Sequence, residues 1–242
     1  GAALNGLRPI HVHIRADFLL LGMNQIANMM APLRYLSGGR LAVPLVIRSI
    51  IGRGWGQGAQ HSKSMHGVFA RLPGLKVILP TTPQDAYSLL RAAIADPNPV
   101  MCFEHRWLYD VTGPVDPAVA VPLGMAAVRR AGSAATVVAA SWMTVEALKA
   151  AEVLARHGVE LEVVDVRSAA PLDMGTIADS VARTRHCVVA DYDWTYGGLA
   201  AEVAAEVGHR CFGALEAPVE RLGFAPVPCP TTRPLETLFY PS

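Results

Sequence analysis

Residues 73–103 read PGLKVILPTTPQDAYSLLRAAIADPNPVMCF, and this stretch decides the fold class. Leu75–Leu79 is a short apolar run behind a Pro-Gly turn, the pattern of a buried strand. Thr82 can cap a helix, Pro83 suits its first position, and Asp85 places a carboxylate in the first turn, where the helix dipole favours it. Ala86, Leu89, Leu90, Ala93 and Ile94 follow at helical spacing, and Val100–Phe103 is a second apolar run. A strand, a helix and a strand in that order form the crossover unit of a parallel sheet.

The alternation continues on both sides. Pro9–Ile14 and Val43–Ile47 read as strands, with Asn24–Tyr35 as a helix between them. Downstream, Thr136–Ala140, Leu161–Val166, Cys187–Ala190 and Pro218–Leu222 read as strands. Val145–Arg156, closed by Gly158, Met174–Val181 and Leu199–Val207 read as helices. Residues 110–123 (DVTGPVDPAVAVPL) hold three prolines, one glycine and no helical period, so they read as a linker. The expected architecture is α/β: two doubly wound domains with mainly parallel sheets, at 1–112 and 124–242, joined through 113–123.

Composition narrows the function classes. Of 242 residues, 52% are hydrophobic and 17% charged, with 21 Lys plus Arg against 20 Asp plus Glu. Disorder needs the opposite balance, and the even charge offers no basic footprint for nucleic acid. Cys102, Cys187, Cys211 and Cys229 form no CxxC and no close pair, which suits a reducing compartment. No apolar run is long enough for a membrane span, and the start shows no secretory pattern. The expected location is the cytoplasm, or the mitochondrial matrix if a transit peptide has been removed.

The segment richest in chemistry is Gly52–Ser64, GRGWGQGAQHSKS. Gly52, Gly54, Gly56 and Gly58 alternate, which fits no regular element, and the segment follows a strand, where α/β folds build sites. It matches neither the phosphate loop GxxxxGK[ST] nor the dinucleotide fingerprint GxGxxG. Gln60, His61 and Ser62 supply polar groups, and an imidazole can serve as acid or base. A surface loop with a solvated histidine accounts for the pattern equally well.

Taken together, GLRPI, ADF, NQIAN, YLSGG, GAQHS, PGLKVILPTTPQDA, IADPNPV and FEHRWLY occur in the order and spacing of a known family. PLGMAAVRRAG, ELEVVDVRS, the turn at Pro171–Asp173 and LEAPVERL continue the match over essentially the whole chain. The sequence resembles the beta subunit of the thiamine-diphosphate-dependent 2-oxoacid dehydrogenase first component, of the pyruvate and branched-chain type. Transketolases share the same two domains more distantly. The resemblance implies decarboxylation of a 2-oxoacid and transfer of the acyl unit to a lipoyl group on a partner acyltransferase. It implies an alpha-like subunit that holds magnesium and the diphosphate through a GDG motif, which this sequence lacks. It also implies self-association of beta subunits in an alpha2-beta2 assembly, with no nucleic acid and no membrane partner.

By the same resemblance His61 is the active-site histidine, Phe18 stacks on the aminopyrimidine and Ile14 touches it. Leu45, Ala93 and Ile94 (backbone carbonyls), Asp96 and Asn98 match a potassium site. The family's central glutamate lies upstream of GLRPI, so the pyrimidine domain is expected to be incomplete at its N-terminus. Typical members carry a glutamate shortly after RPI, where this chain has Val12 and His13. His11, His13 and Arg15 alternate onto one strand face, and with Gln60 and Arg106 they are candidates for substrate or partner contact. Glu104, His105 and Arg106 are expected just beyond a strand. Asp191, Asp193, Trp194 and Tyr196 are expected in a loop before Gly197 and Gly198. Two other readings are a two-chain transketolase-like enzyme and a partner-binding subunit that no longer catalyses.

Overall fold

The computed structural model describes residues 1–52 and 56–241. Arg53, Gly54 and Trp55, within the glycine-rich segment, lie outside the described residues. The chain forms two five-stranded sheets flanked by helices, both mainly parallel. The first contains β1 (Ile10–His13), β2 (Val46–Ile51), β3 (Lys76–Ile78) and β4 (Val100–His105), with β8 (Ser168–Ala170) added at one edge. Its order is β1-β2-β4-β3-β8, parallel except for the antiparallel pair of β3 and β8. The second contains β5 (Ala127–Arg130), β6 (Ala135–Ala139), β7 (Leu161–Asp165), β9 (Cys187–Trp194) and β10 (Glu220–Phe224). Its order is β10-β9-β6-β7-β5, with only β5 antiparallel. The linker-like residues 110–123 carry no helix or strand. Among the described residues no helix is long and apolar enough to cross a membrane.

The helices follow their local signals. Besides short α1 (Leu33–Leu36) and α2 (His66–Ala70), the chain forms α3 (Pro83–Ala95), α4 (Trp142–Ala155), α5 (Met174–Thr184), α6 (Leu199–Arg210) and α7 (Arg233–Phe239). α3 starts as its sequence predicts: the Thr82 hydroxyl accepts from the Asp85 amide and the Asp85 carboxylate accepts from the Thr82 amide, a full capping box. Leu89 and Ala93 of α3 pack on Val46, Ile78, Val100 and Cys102 of the sheet. Ala86, placed on the apolar stripe by spacing, is exposed, and Ser88 is buried instead, donating to the Val119 carbonyl at 2.7 Å.

Two expected elements differ. Asn24–Tyr35 is not one α-helix: a 3-10 segment (Ala16–Gly22), a π segment (Gln25–Met30) and α1 follow one another. Pro32 has no amide to continue a helix, and the Ala31 amide bonds Ile26 O at 3.0 Å in the wider π pattern just before it. β2 begins at Val46, later than the expected Val43, because Pro44 cannot join a ladder flanked by β1 and β4.

All four parallel strands of the first sheet end at the same edge. The segments after β1, β2 and β4 therefore emerge side by side, which is where open α/β sheets place ligands. Gly52 makes this possible after β2. Its φ is +83°, and a Cβ there would lie 2.3 Å from the ring nitrogen Nε2 of buried His105.

Candidate active site

At that edge the chain brings together two of the predicted residues. Phe18 sits in the 3-10 segment after β1, and His61 follows a 3-10 turn (Gly58–Gln60) after β2. Their ring centroids are 5.1 Å apart at 79°, an edge-to-face pair. Phe18 remains 39% exposed and Ile14, just past β1, 73% exposed. Lys63 Nζ donates to Asp17 Oδ1 at 3.2 Å, tying the His61 segment to the residue before Phe18. Gln60 and Arg106 are exposed, beyond the ends of β2 and β4 respectively.

The strand face predicted for His11, His13 and Arg15 divides. His11 Nε2 and His13 Nδ1 lie 3.3 Å apart on β1, so those two do share a face. Arg15 lies beyond the strand, is only 4% exposed and bonds the Gln57 side chain. Burial, with Arg106 adding to it, lowers its guanidinium from the usual value. Glu104 and His105 belong to β4 itself rather than to the loop beyond it. Glu104 takes a two-pronged bond from Arg48 (2.8 and 2.9 Å) and one from Tyr109 (2.9 Å), so it is already matched.

The loop expected at Asp191–Tyr196 is likewise corrected. β9 runs through Trp194, Asp191 and Asp193 are buried, and only Tyr196 projects into solvent. The apolar run stops at Ala190, which hides the continuation, but Asp191 has a partner inside. His66 Nε2 and Asp191 Oδ2 are 3.0 Å apart, both side chains buried. Sequence reading missed His66, because its partner is 125 residues away.

Family models match both halves of the chain. The transketolase pyrimidine-binding domain matches residues 1–112, and the transketolase C-terminal domain matches 124–242. The beta subunit of acetoin:2,6-dichlorophenolindophenol oxidoreductase from Cupriavidus necator is 40% identical over all of this chain and 72% of its own length. The mitochondrial beta subunit of the pyruvate dehydrogenase E1 component from Ascaris suum is 39% identical over all of this chain and 68% of its own. The chain belongs to the family of these beta subunits. A solved split-gene transketolase, described as an inactive beta4 tetramer, shares the fold with a TM-score of 0.75 at 23% identity, over 93% of this chain and 69% of its own.

In this beta-type chain the donors expected for potassium are taken by other groups. Leu45 O accepts from the Val100 amide at 2.9 Å. Arg8 donates to the carbonyls of Ile94 (2.6 Å) and Asp96 (3.1 Å), and Arg34 to Asn98 Oδ1 at 3.3 Å. Lys76 is ion-paired with the Asp96 carboxylate, whose other oxygen accepts from Asn98. As arranged, Ile94, Asp96 and Asn98 surround cationic side chains and do not fit an added cation, and no role for potassium is derived.

One group among the described residues has three metal-ligand side chains close together: His66, Asp191 and Asp193, with donor atoms within 4.8 Å of one another. Its imidazole is engaged by Asp191, so the arrangement is an ion pair. Burial alone would push the His66 imidazole down, but the Asp191 charge and hydrogen bond, with Asp193 behind them, lift it to about 9. Burial raises the Asp193 carboxyl to about 6. A histidine raised in the fold contributes stability that is complete below its ordinary 6.5 and is lost as pH climbs through about 9. Urea unfolding across pH 6–10 is therefore expected to show stability falling on the alkaline side, with His66→Gln flattening that limb. An unchanged limb in the variant would assign the decline to other groups.

Proposed function

We propose that this chain is the beta half of a thiamine-diphosphate enzyme that decarboxylates a small 2-oxoacid and delivers the acyl unit to a lipoyl group on a partner acyltransferase. The observation that carries this reading is the Phe18–His61 pair at the strand ends of a chain 39–40% identical to beta subunits of pyruvate dehydrogenase and acetoin oxidoreductase. The residues fit the ring end of the cofactor: Phe18 and Ile14 leave apolar surface open, where a flat heterocycle would be covered. They do not supply its charged end. The sequence has no GDG, and the only close set of metal-ligand side chains among the described residues is buried around the His66–Asp191 pair. Magnesium and the diphosphate therefore fall to an alpha-type partner, in an assembly holding two copies of each chain.

Thiamine diphosphate supplies the electron sink when bound. The chain's own residues act at the ring end. Phe18 offers a ring face to orient the heterocycle, and Ile14 excludes water beside it. His61 is within reach of whatever lies against Phe18, and its imidazole can take and return a proton there. Lys63–Asp17 and Arg15–Gln57 hold the two segments in register. His11, His13, Gln60 and Arg106 are left to meet the substrate or the partner chains.

Turnover tests the reading. With an alpha-type chain, thiamine diphosphate, magnesium and 2,6-dichlorophenolindophenol as acceptor, pyruvate is expected to release carbon dioxide as the dye is reduced. Dye reduction with acetoin and none with pyruvate would move the substrate away from 2-oxoacids. No reaction with either would overturn the reading.

A further inference from the structure

The residues after His61 are anchored to the other half of the molecule more heavily than a five-residue helix requires. Ser64 is fully buried and donates its hydroxyl proton to the carbonyl of Tyr192 in β9. His66, at the start of α2, holds Asp191 of β9 at 3.0 Å. Gly67 packs so closely on α6 that a Cβ would meet the Leu199 amide at 3.1 Å. Between these anchors Met65 has φ +64°, a left-handed conformation that a side-chain-bearing residue keeps only where its surroundings impose it. On the other side Lys63 reaches Asp17 beside Phe18. The His61 segment is thus stretched between the 3-10 segment that bears Phe18 and β9 of the second sheet.

We infer that the His66–Asp191 pair is a latch through which the C-terminal half positions His61, His66 being a positioning residue and Asp191 its anchor. This rests on His61 being the acting imidazole of the proposed function. The groups acting on His66 are few. β9 contributes the carboxylates of Asp191 and Asp193, and β4 contributes the Phe103 ring, 6.4 Å away by centroids. When the pair is broken, what remains on the His66 side to hold Met65 in its left-handed state is the close approach of Gly67 to α6 and the bond from the Val68 amide to the Met65 carbonyl at 3.0 Å. Relaxation of Met65 turns the backbone between Ser64 and His66 and moves the His61 ring off Phe18.

Carbethoxylation by diethyl pyrocarbonate, followed by peptide mass spectrometry on the full chain, reads the latch without needing turnover. His66→Gln and Asp191→Asn are each expected to raise the reactivity of His61 roughly tenfold, the scale of a broken side-chain coupling. The exposed controls His11 and His209 should not change. The double variant, able to form a neutral amide pair, should restore part of the protection. Unchanged His61 reactivity in both single variants would overturn the latch, as would a uniform rise at every histidine. In the assembled enzyme His66→Gln should lower kcat with KM little changed. If His61→Ala leaves turnover intact while the carbethoxylation pattern holds, His61 leaves the chemistry of the proposed function and the latch stands as a coupling between the two halves.

Discussion

Replacing His61 by Ala is expected to lower turnover of the assembled enzyme by about a hundredfold to ten-thousandfold, the usual contribution of a positioned acid–base group. The loss should appear in kcat, with KM little changed, because nothing in the geometry makes His61 the main binding contact. Stability should barely move. His61 is half-buried at the mouth of the sheet, and its edge contact with Phe18 at 5.1 Å is worth about 1 kcal/mol. Steady-state kinetics and thermal unfolding on the same preparation check both halves of the statement. Unchanged turnover would remove His61 from the chemistry, and a collapse of folding would make it structural.

Replacing Arg129 by Met is expected to have the opposite profile, a large loss of stability. Arg129 of β5 joins two buried carboxylates from different halves of the chain. It bonds Asp165, at the end of β7, at 2.8 and 3.0 Å, and it is ion-paired with Asp85 in the first turn of α3. Arg167 adds a contact to Asp85 at 3.3 Å, and the Thr81 hydroxyl donates to Asp165 at 3.0 Å. Burial already lifts the Asp165 carboxyl to about 6 despite Arg129. Without the guanidinium two buried acids face each other with only Arg167 between them. Breaking a buried ion pair from one side costs about 3–5 kcal/mol. In a chain of this size that lowers the unfolding midpoint by roughly 10 °C. Asp165→Asn in the same background should recover much of the loss. A midpoint within a degree or two of the parent would mean that Arg129 is a surface cation.

Asp85 also shows how far the sequence can be read. Its role as a helix cap was legible, because Thr82, Pro83 and Asp85 interact within one turn. Its second role was not, because Arg129 and Arg167 are 44 and 82 residues away. The parallel architecture was legible in the same way, since apolar runs and helical periods are local. The π segment before Pro32 was not, as spacing alone does not distinguish a wider helical turn. At the site, GAQHS and the family order of motifs led to His61 and Phe18, and the fold sets their rings side by side. His66 carried no local signal beyond being a histidine. Asp191 and Asp193 carried a misleading one: charged residues after an apolar run look like a loop, whereas here one of them meets an imidazole inside the protein.

In the proposed function this chain holds the ring end of thiamine diphosphate and needs a partner for the rest. Calorimetric titration of thiamine diphosphate with magnesium, into the chain alone and into the chain mixed with an alpha-type subunit, tests it most directly. Binding is expected to be weak or undetectable with the chain alone and tight with the mixture, and reduced when Phe18 is replaced by Ala. Tight binding to the isolated chain, or none to the mixture, would contradict that division.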